Sequence, residues 1–386
     1  MSVVRRLVST RPAYREAAVA AAVQLSVAAL GFTVLLVVNH HLGHGVRWLL
    51  YRWDSGHYLH VAERGYPSAL LYRPDGTPEY NRLAFFPLVP ALIRGVHLVS
   101  GLPHAYAGVL VSWCAAAVAA VGVYALVRSL GGRPGAGYAC VALWACCPYA
   151  FALWVPYSEA VFSAFLVWAL VALVRERWLA AGVLCAFAGT VRPTATVLIA
   201  ALLAAAGWAA LRRRDGWRPW AALAVAPLGL LVSWLFLGSR VGRWDGWFEA
   251  ERAWGQSFDF GVGTLGVLRR ILLYRDLGAA GDVRQVGVLA VVLLTAAGVL
   301  ALALDRRVPW PLVVVVAGAW LLMVGTPGSP FSKPRFMLPF LPVLLLLVAR
   351  PLGRVPLGVR VCLYGGGAVV SGWYAAGLLV LFDGSP

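Results

Sequence analysis

Long apolar runs alternate with short arginine-bearing breaks through most of the chain, and this pattern predicts membrane-spanning helices. A span needs about 20 apolar residues. Candidates fall near 17–38, 105–127, 135–152, 157–174, 193–211, 219–238, 285–304, 309–326, 334–349 and 359–382. Two further apolar stretches, 84–99 and 178–191, are short. Arginines in short loops mark the cytoplasmic side. They assign that side to Arg5, Arg6, Arg11 and Arg15, to Arg128 and Arg133, to Arg175 and Arg177, and to Arg212 to Arg214, with Arg306, Arg307, Arg350, Arg354 and Arg360 following. Arg128 returns to that side only if 84–99 does not cross. That stretch carries Arg94 and His97 and is about 24 Å long as a helix, so it reads as a membrane-surface helix. Arg177 and Arg212 share a side only if 178–191 and 193–211 form a hairpin with Arg192-Pro193 at its outer turn. The count is about eleven crossings, N-terminus inside and C-terminus outside.

Composition agrees with this pattern. Of 386 residues, 61% are apolar and 13% charged, and no soluble-looking block is long enough to form a separate domain, so 1–386 reads as one transmembrane domain. A net charge of +17 would suggest a nucleic-acid partner in a soluble protein. Here the basic residues sit in short loops, where they fix orientation, and no nucleic-acid partner is assigned. The six cysteines all lie inside apolar runs without ligand spacing and read as small buried residues. The first apolar run is longer than a signal peptide's and lacks a small-residue cleavage site, so it reads as a retained anchor.

The acids change the picture. Ten of the sixteen Asp and Glu fall in two long external loops, 39–84 and 240–284, and Glu159 sits at the outer end of another span. A polar site is therefore expected on the extracytoplasmic face. In the first loop, Trp53-Asp54-Ser55-Gly56 through Gly65-Tyr66-Pro67 predicts a short helix that starts at an acid and stops at Gly and Pro. Asp54 fits a helix N-cap, and Tyr51, Trp53, Tyr58 and Tyr66 fit an interfacial aromatic belt. In the second loop Phe248, Glu251 and Trp254 share helical spacing, which suits an interfacial helix more than a sugar-stacking platform. His57 and His60 stand at i, i+3 beside Asp54, a weak metal pattern, and no metal ligand is assigned. No serine-hydrolase elbow, zinc-protease motif, phosphate loop or dinucleotide fingerprint is present.

Five segments taken together resemble the PIG-V-like family, integral-membrane mannosyltransferases of the GT-C superfamily. They are Trp53-Asp54-Ser55-Gly56 through Pro67, Ala84-Phe85-Phe86-Pro87-Leu88-Val89-Pro90, Pro156-Tyr157-Ser158-Glu159-Ala160-Val161-Phe162, Thr190-Val191-Arg192-Pro193-Thr194 and Pro334-Arg335-Phe336-Met337-Leu338-Pro339. Their order and spacing are similar to the family's from about residue 50 to 345. The resemblance implies an all-α polytopic fold, a GT-C-like bundle of about 10–12 transmembrane helices with two long external loops. It implies transfer of a sugar, mannose in the family, from a polyprenyl-phosphate donor to a lipid-linked or protein acceptor, with inversion, at the outer face of the cell membrane.

In such enzymes an acid of the first external loop is the base, which here is Asp54. A hydroxyl is a poor nucleophile until a carboxylate takes its proton. The leaving phosphate calls for cations, and Arg335, Arg192 and Lys333 are the candidates, Arg335 first. Each has a structural alternative as a snorkelling or helix-end charge. Glu159 is an acceptor contact or a first-turn acid, and Tyr58 and Trp53 join the substrate-binding set as neighbours of Asp54. No resident cofactor is implied; donor sugar, acceptor, metal dependence and any partner subunit stay open. The rival classes are a lipid or solute transporter, which would place its charges at the bilayer midplane, and a noncatalytic scaffold of a cell-envelope complex.

Overall fold

A computed structural model describes residues 13–273, 283–327 and 332–381. Arg5, Arg6 and Arg11, assigned above to the cytoplasmic side, lie outside the described residues, as does 274–282 of the second loop. Among the described residues the regular structure is all helical apart from an isolated bridge between Tyr72 and Pro78. Five helices are long and apolar enough to cross a bilayer: Tyr14–His41, His104–Ser129, the broken helix Arg218–Arg240, Gly287–Leu304 and Leu357–Leu381. The other apolar runs form helices of 10–17 residues, among them Glu159–Val174, Trp178–Gly189, Ala195–Leu211 and Trp310–Gly325. The fold is that of an all-helical, multi-pass membrane protein.

Small residues let the helices pack closely, because lipid supplies no hydrophobic drive between helices and association depends on contact. Tyr14–His41 lies along Leu357–Ala376 and against His104–Ser129, which in turn lies along Glu159–Val174. A Cβ on Gly372 would fall 2.2 Å from the Gly31 carbonyl oxygen, so these two backbones meet where neither carries a side chain. Gly229 similarly lets Leu228–Arg240 approach the Ala186 carbonyl of the neighbouring helix. On the outer surfaces, Leu294, Leu300 and Leu304 are exposed, as lipid-facing side chains are.

Proline explains where the apolar pattern misled. The run 334–349, expected as one span, does not form one continuous helix. It breaks into Lys333–Met337, Leu341–Leu344 and Leu346–Leu352, with Pro334, Pro339, Pro342 and Pro351 removing donors and crowding the preceding turn. Pro227 likewise divides 219–238 into Arg218–Val225 and Leu228–Arg240. The run 135–152 is helical only over Pro134–Ala145 and then passes into a 3-10 turn, Ala150–Leu153. The paired helices Trp178–Gly189 and Ala195–Leu211 turn at Arg192-Pro193 as expected.

One end of the bundle gathers the loops. The backbone N–H of Leu88, at the start of Leu88–Ser100, donates to Thr190 O across 3.2 Å, tying the first loop to the 190–194 turn. The two long loops also meet: Trp254 Nε1 donates to Asn81 O (3.1 Å), and Arg243 Nη1 donates to the Tyr72 hydroxyl (3.3 Å). The segments carrying the candidate residues thus share one end of the molecule.

Candidate functional site

The Trp53–Arg64 helix begins after a tight reversal of the chain. Trp53 adopts a left-handed backbone (φ 54°), costing on the order of 1 kcal/mol or more. Gly56 sits where a Cβ would be 2.3 Å from the Tyr51 carbonyl oxygen, so a larger residue would push this reversal open. The helix stops at Gly65 with φ +82°. Asp54 lies inside the first turn, the N-cap being Arg52, and makes no capping bond. Its carboxylate is directed instead at Arg335: Nη2 stands 2.7 Å from Asp54 Oδ2.

That contact begins a chain of charges. Arg335 Nε lies 3.2 Å from Glu159 Oε1, and Arg192 Nη1 lies 2.6 Å from the same oxygen. Glu159 is 1% exposed, Arg335 4% and Arg192 8%, so these three are nearly free of water, whereas the Asp54 side chain, 20% exposed, opens to the cavity. Buried charges persist only when paired, and here two carboxylates face two guanidiniums. Sequence-distant breaks supply the members. Asp54 comes from the first loop and Glu159 from the helix start after Pro156-Tyr157, while Arg192 comes from a hairpin turn and Arg335 from the proline-broken segment. The Tyr157 ring lies 4.9 Å from the Arg335 guanidinium carbon, and Phe336 lies 5.5 Å from that of Arg192. Arg335 Nη1 is buried and has no hydrogen-bond partner among the described residues.

Asp54, Tyr58, Arg192 and Arg335 line a cavity of about 660 Å³. Its wall is continued by Trp234 and by Trp247, Phe248, Glu251 and Trp254 from the second loop. The Gly246–Ala253 helix, expected from the sequence to be an interfacial helix, thus contributes to the cavity wall. Burial pushes the Glu251 carboxyl up to about 8, the Asp54 charge adding to the shift and Arg192 opposing it. His57 stacks on Phe85 (4.8 Å) and meets Trp254 edge-on (5.1 Å). Burial holds its pKa below the ordinary histidine value, with Asp54 opposing and Arg82 adding.

Two candidates stand elsewhere. Lys333 is buried, and its ammonium donates to the carbonyls of Met323 (2.8 Å) and Thr326, where it caps the C-terminal end of Trp310–Gly325. Trp53 donates from Nε1 to Leu379 O (3.4 Å) and carries the Arg52 guanidinium over its ring at 4.7 Å, away from the cavity lining. Among the described residues no group of three His, Cys, Asp or Glu side chains is placed to hold a metal ion. Trp234 was not singled out by the sequence because it lies inside an apolar run, where an aromatic residue carries no distinguishing signal.

No known protein-family model matches the sequence, and neither does any curated protein. The fold resembles the crystal structure of ArnT from Cupriavidus metallidurans bound to undecaprenyl phosphate, with a TM-score of 0.51 at 13% sequence identity. The similarity covers 88% of this chain and 62% of the ArnT chain, so this protein spans less than two thirds of that neighbour's length. What the two share is the fold, a polytopic helical architecture.

Proposed function

We propose that this protein is a GT-C-type glycosyltransferase of the PIG-V-like kind, moving a sugar, mannose by resemblance, from a polyprenyl-phosphate donor to a lipid-linked or protein acceptor at the extracytoplasmic face. The observation that carries it is the ion-pair chain from Asp54 through Arg335 and Glu159 to Arg192, three of whose members line one cavity. The undecaprenyl phosphate held by a protein of the same fold supports a polyprenyl-phosphate donor. A transporter would hold its charges at the midplane on symmetry-related broken helices, whereas these charges gather where the loops meet.

In the proposed step, the acceptor oxygen attacks the anomeric carbon while Asp54 takes its proton. The bond from that carbon to the phosphate oxygen breaks, and polyprenyl phosphate departs with the bonding electrons. Arg335, through its unpartnered Nη1, and Arg192 balance the charge that develops on the phosphate. Glu159 positions both guanidiniums, and Tyr58 walls the reacting centre.

The test is transfer of labelled mannose from undecaprenyl-phosphate-mannose to endogenous acceptors in membranes carrying the wild type or Asp54→Asn at matched protein level. The expected result is transfer by the wild type and a loss of about 10²–10⁴-fold in the variant. Equal transfer by both removes Asp54 from the mechanism, and no transfer by either sinks the mannosyl donor.

A further inference from the structure

Asp54, Arg335, Glu159 and Arg192 account for the proton and the phosphate but leave one wall of the cavity without a task. Glu251 projects from the Gly246–Ala253 helix into that wall. It has no ion pair or hydrogen bond among the described residues, unlike its neighbour Glu249, which is bound to Arg252 at 2.9 Å. Beside it stand Trp247 and Trp234, their rings stacked at 5.7 Å. The indole Nε1 atoms of both are buried and lack an acceptor among the described residues. A buried N–H without an acceptor is costly, and the half-buried Glu251 carboxyl stands open to the cavity. Two hydrogen-bond donors and a carboxyl, set in an aromatic wall beside the proposed base, match a ring that carries hydroxyls on its edges and C–H groups on its faces. A polyprenyl chain offers no hydroxyl, and in the proposed step the phosphate is already met by Arg335 and Arg192.

We propose that Glu251, with Trp247 and Trp234, forms the subsite that reads the hydroxyls of the donor sugar. The proposal rests on the polyprenyl-phosphate-sugar reading above and adds to it a specificity-determining residue from the second loop. Glu251 hydrogen-bonds one or two sugar hydroxyls and so orients the anomeric carbon between Asp54 and the phosphate. Its neutral form suits an anionic donor, consistent with the upward shift that burial imposes on it.

The experiment compares two lipids on the full-length protein in detergent, undecaprenyl phosphate and undecaprenyl-phosphate-mannose, titrated against intrinsic tryptophan fluorescence for wild type, Glu251→Ala and Glu251→Gln. In the wild type the mannose-bearing lipid is expected to bind more tightly than undecaprenyl phosphate. Glu251→Ala should lose about tenfold in affinity for the mannose-bearing lipid while binding undecaprenyl phosphate as the wild type does, which also shows that the variant is folded. Glu251→Gln, whose amide still donates and accepts, should retain most of the preference. Equal weakening for both lipids in Glu251→Ala overturns the sugar subsite, as does a wild type that binds both lipids equally. In either case the donor-lipid reading stands. A wild type that binds neither lipid overturns both.

Discussion

Glu159 holds two arginines with one oxygen, so removing its charge is the sharpest perturbation of the candidate site. At 2.6 and 3.2 Å, and with an effective dielectric constant of about 20, the two attractions are worth about 6 and about 5 kcal/mol before desolvation. Desolvating the three groups consumes much of that, and deleting one partner of a buried pair typically costs about 3–5 kcal/mol. Glu159→Gln keeps the volume and one acceptor oxygen but leaves the nearly buried Arg192 without its described ion pair and Arg335 with Asp54 alone. Its thermal midpoint in detergent should fall by about 4–6 °C. The charge left over is positive, so an anionic lipid supplies what the mutation removes. Undecaprenyl phosphate should therefore raise the midpoint of Glu159→Gln by more than it raises that of the wild type. A variant as stable as the wild type, with the same response to the lipid, would refute the claim that Glu159 pins the two arginines.

Other expectations follow from single residues. Lys333→Met leaves the Met323 and Thr326 carbonyls without their donor and should lower the thermal midpoint by the equivalent of about 1–3 kcal/mol, a deficit that undecaprenyl phosphate does not repair. If the lipid repairs it selectively, Lys333 belongs with the phosphate-binding cations. Glu251 is protonated below about 8 and gains a negative charge above it, so the KM for an anionic donor should rise as pH passes that value. Among its cavity neighbours Asp54, Tyr58, Arg192, Arg252 and Arg335, burial pushes the Tyr58 hydroxyl up and out of this window. Glu251→Gln should show no such rise; a profile unchanged by that substitution removes Glu251 as its cause. The same shift, from an ordinary 4.5 upward, gives stability that is fully present below 4.5 and is lost as pH climbs through about 8, measurable as a falling midpoint absent in Glu251→Gln.

The division between what could be read from residues and what could not has a physical basis. Spans with uninterrupted apolar faces, such as 105–127 and 285–304, were legible because hydrocarbon demands about 20 apolar residues wherever the backbone crosses. The segment 334–349 was apolar enough to predict one continuous spanning helix, and its prolines break it into three short ones. Glu159 stood out because charges at membrane depth are costly and therefore rare, whereas Asp54, Arg192 and Arg335 stood out through the ordered segments that carry the family resemblance. Which of them pair depends on tertiary packing, and no spacing within the sequence encodes a contact between residues 54 and 335. The second loop was ambiguous in principle. Phe248, Glu251 and Trp254 at helical spacing serve a lipid interface and a cavity wall equally well until the neighbouring surface is known.

The contact between Asp54 and Arg335 sets a constraint on the proposed reaction, because a displacement with inversion, which the family resemblance implies, needs base and departing phosphate on opposite sides of the anomeric carbon. With attacking and reacting atoms about 3–3.5 Å apart in the near-attack state, acceptor oxygen and leaving oxygen stand roughly 5 Å apart. A guanidinium is a rigid fork, and oxygens bonded to its two ends lie on the order of 5–7 Å from each other. Arg335 stands 2.7 Å from Asp54 through Nη2 and 3.2 Å from Glu159 through Nε as ion pairs, and Nη1 has neither an ion pair nor a hydrogen bond among the described residues. One arginine can therefore keep the base and reach the phosphate together, without breaking the pair to bind the donor. A lysine is a point charge on a flexible stem and cannot span that separation. Arg335→Lys should accordingly lose about 10²-fold or more in kcat/KM for undecaprenyl-phosphate-mannose, with kcat falling as well as KM rising. Arg192→Lys, whose described ionic contact is the single one to Glu159, should lose less than about tenfold, since a point charge can replace it. If Arg335→Lys stays within about threefold of the wild type, charge alone suffices there and the fork does not join the two ends of the displacement.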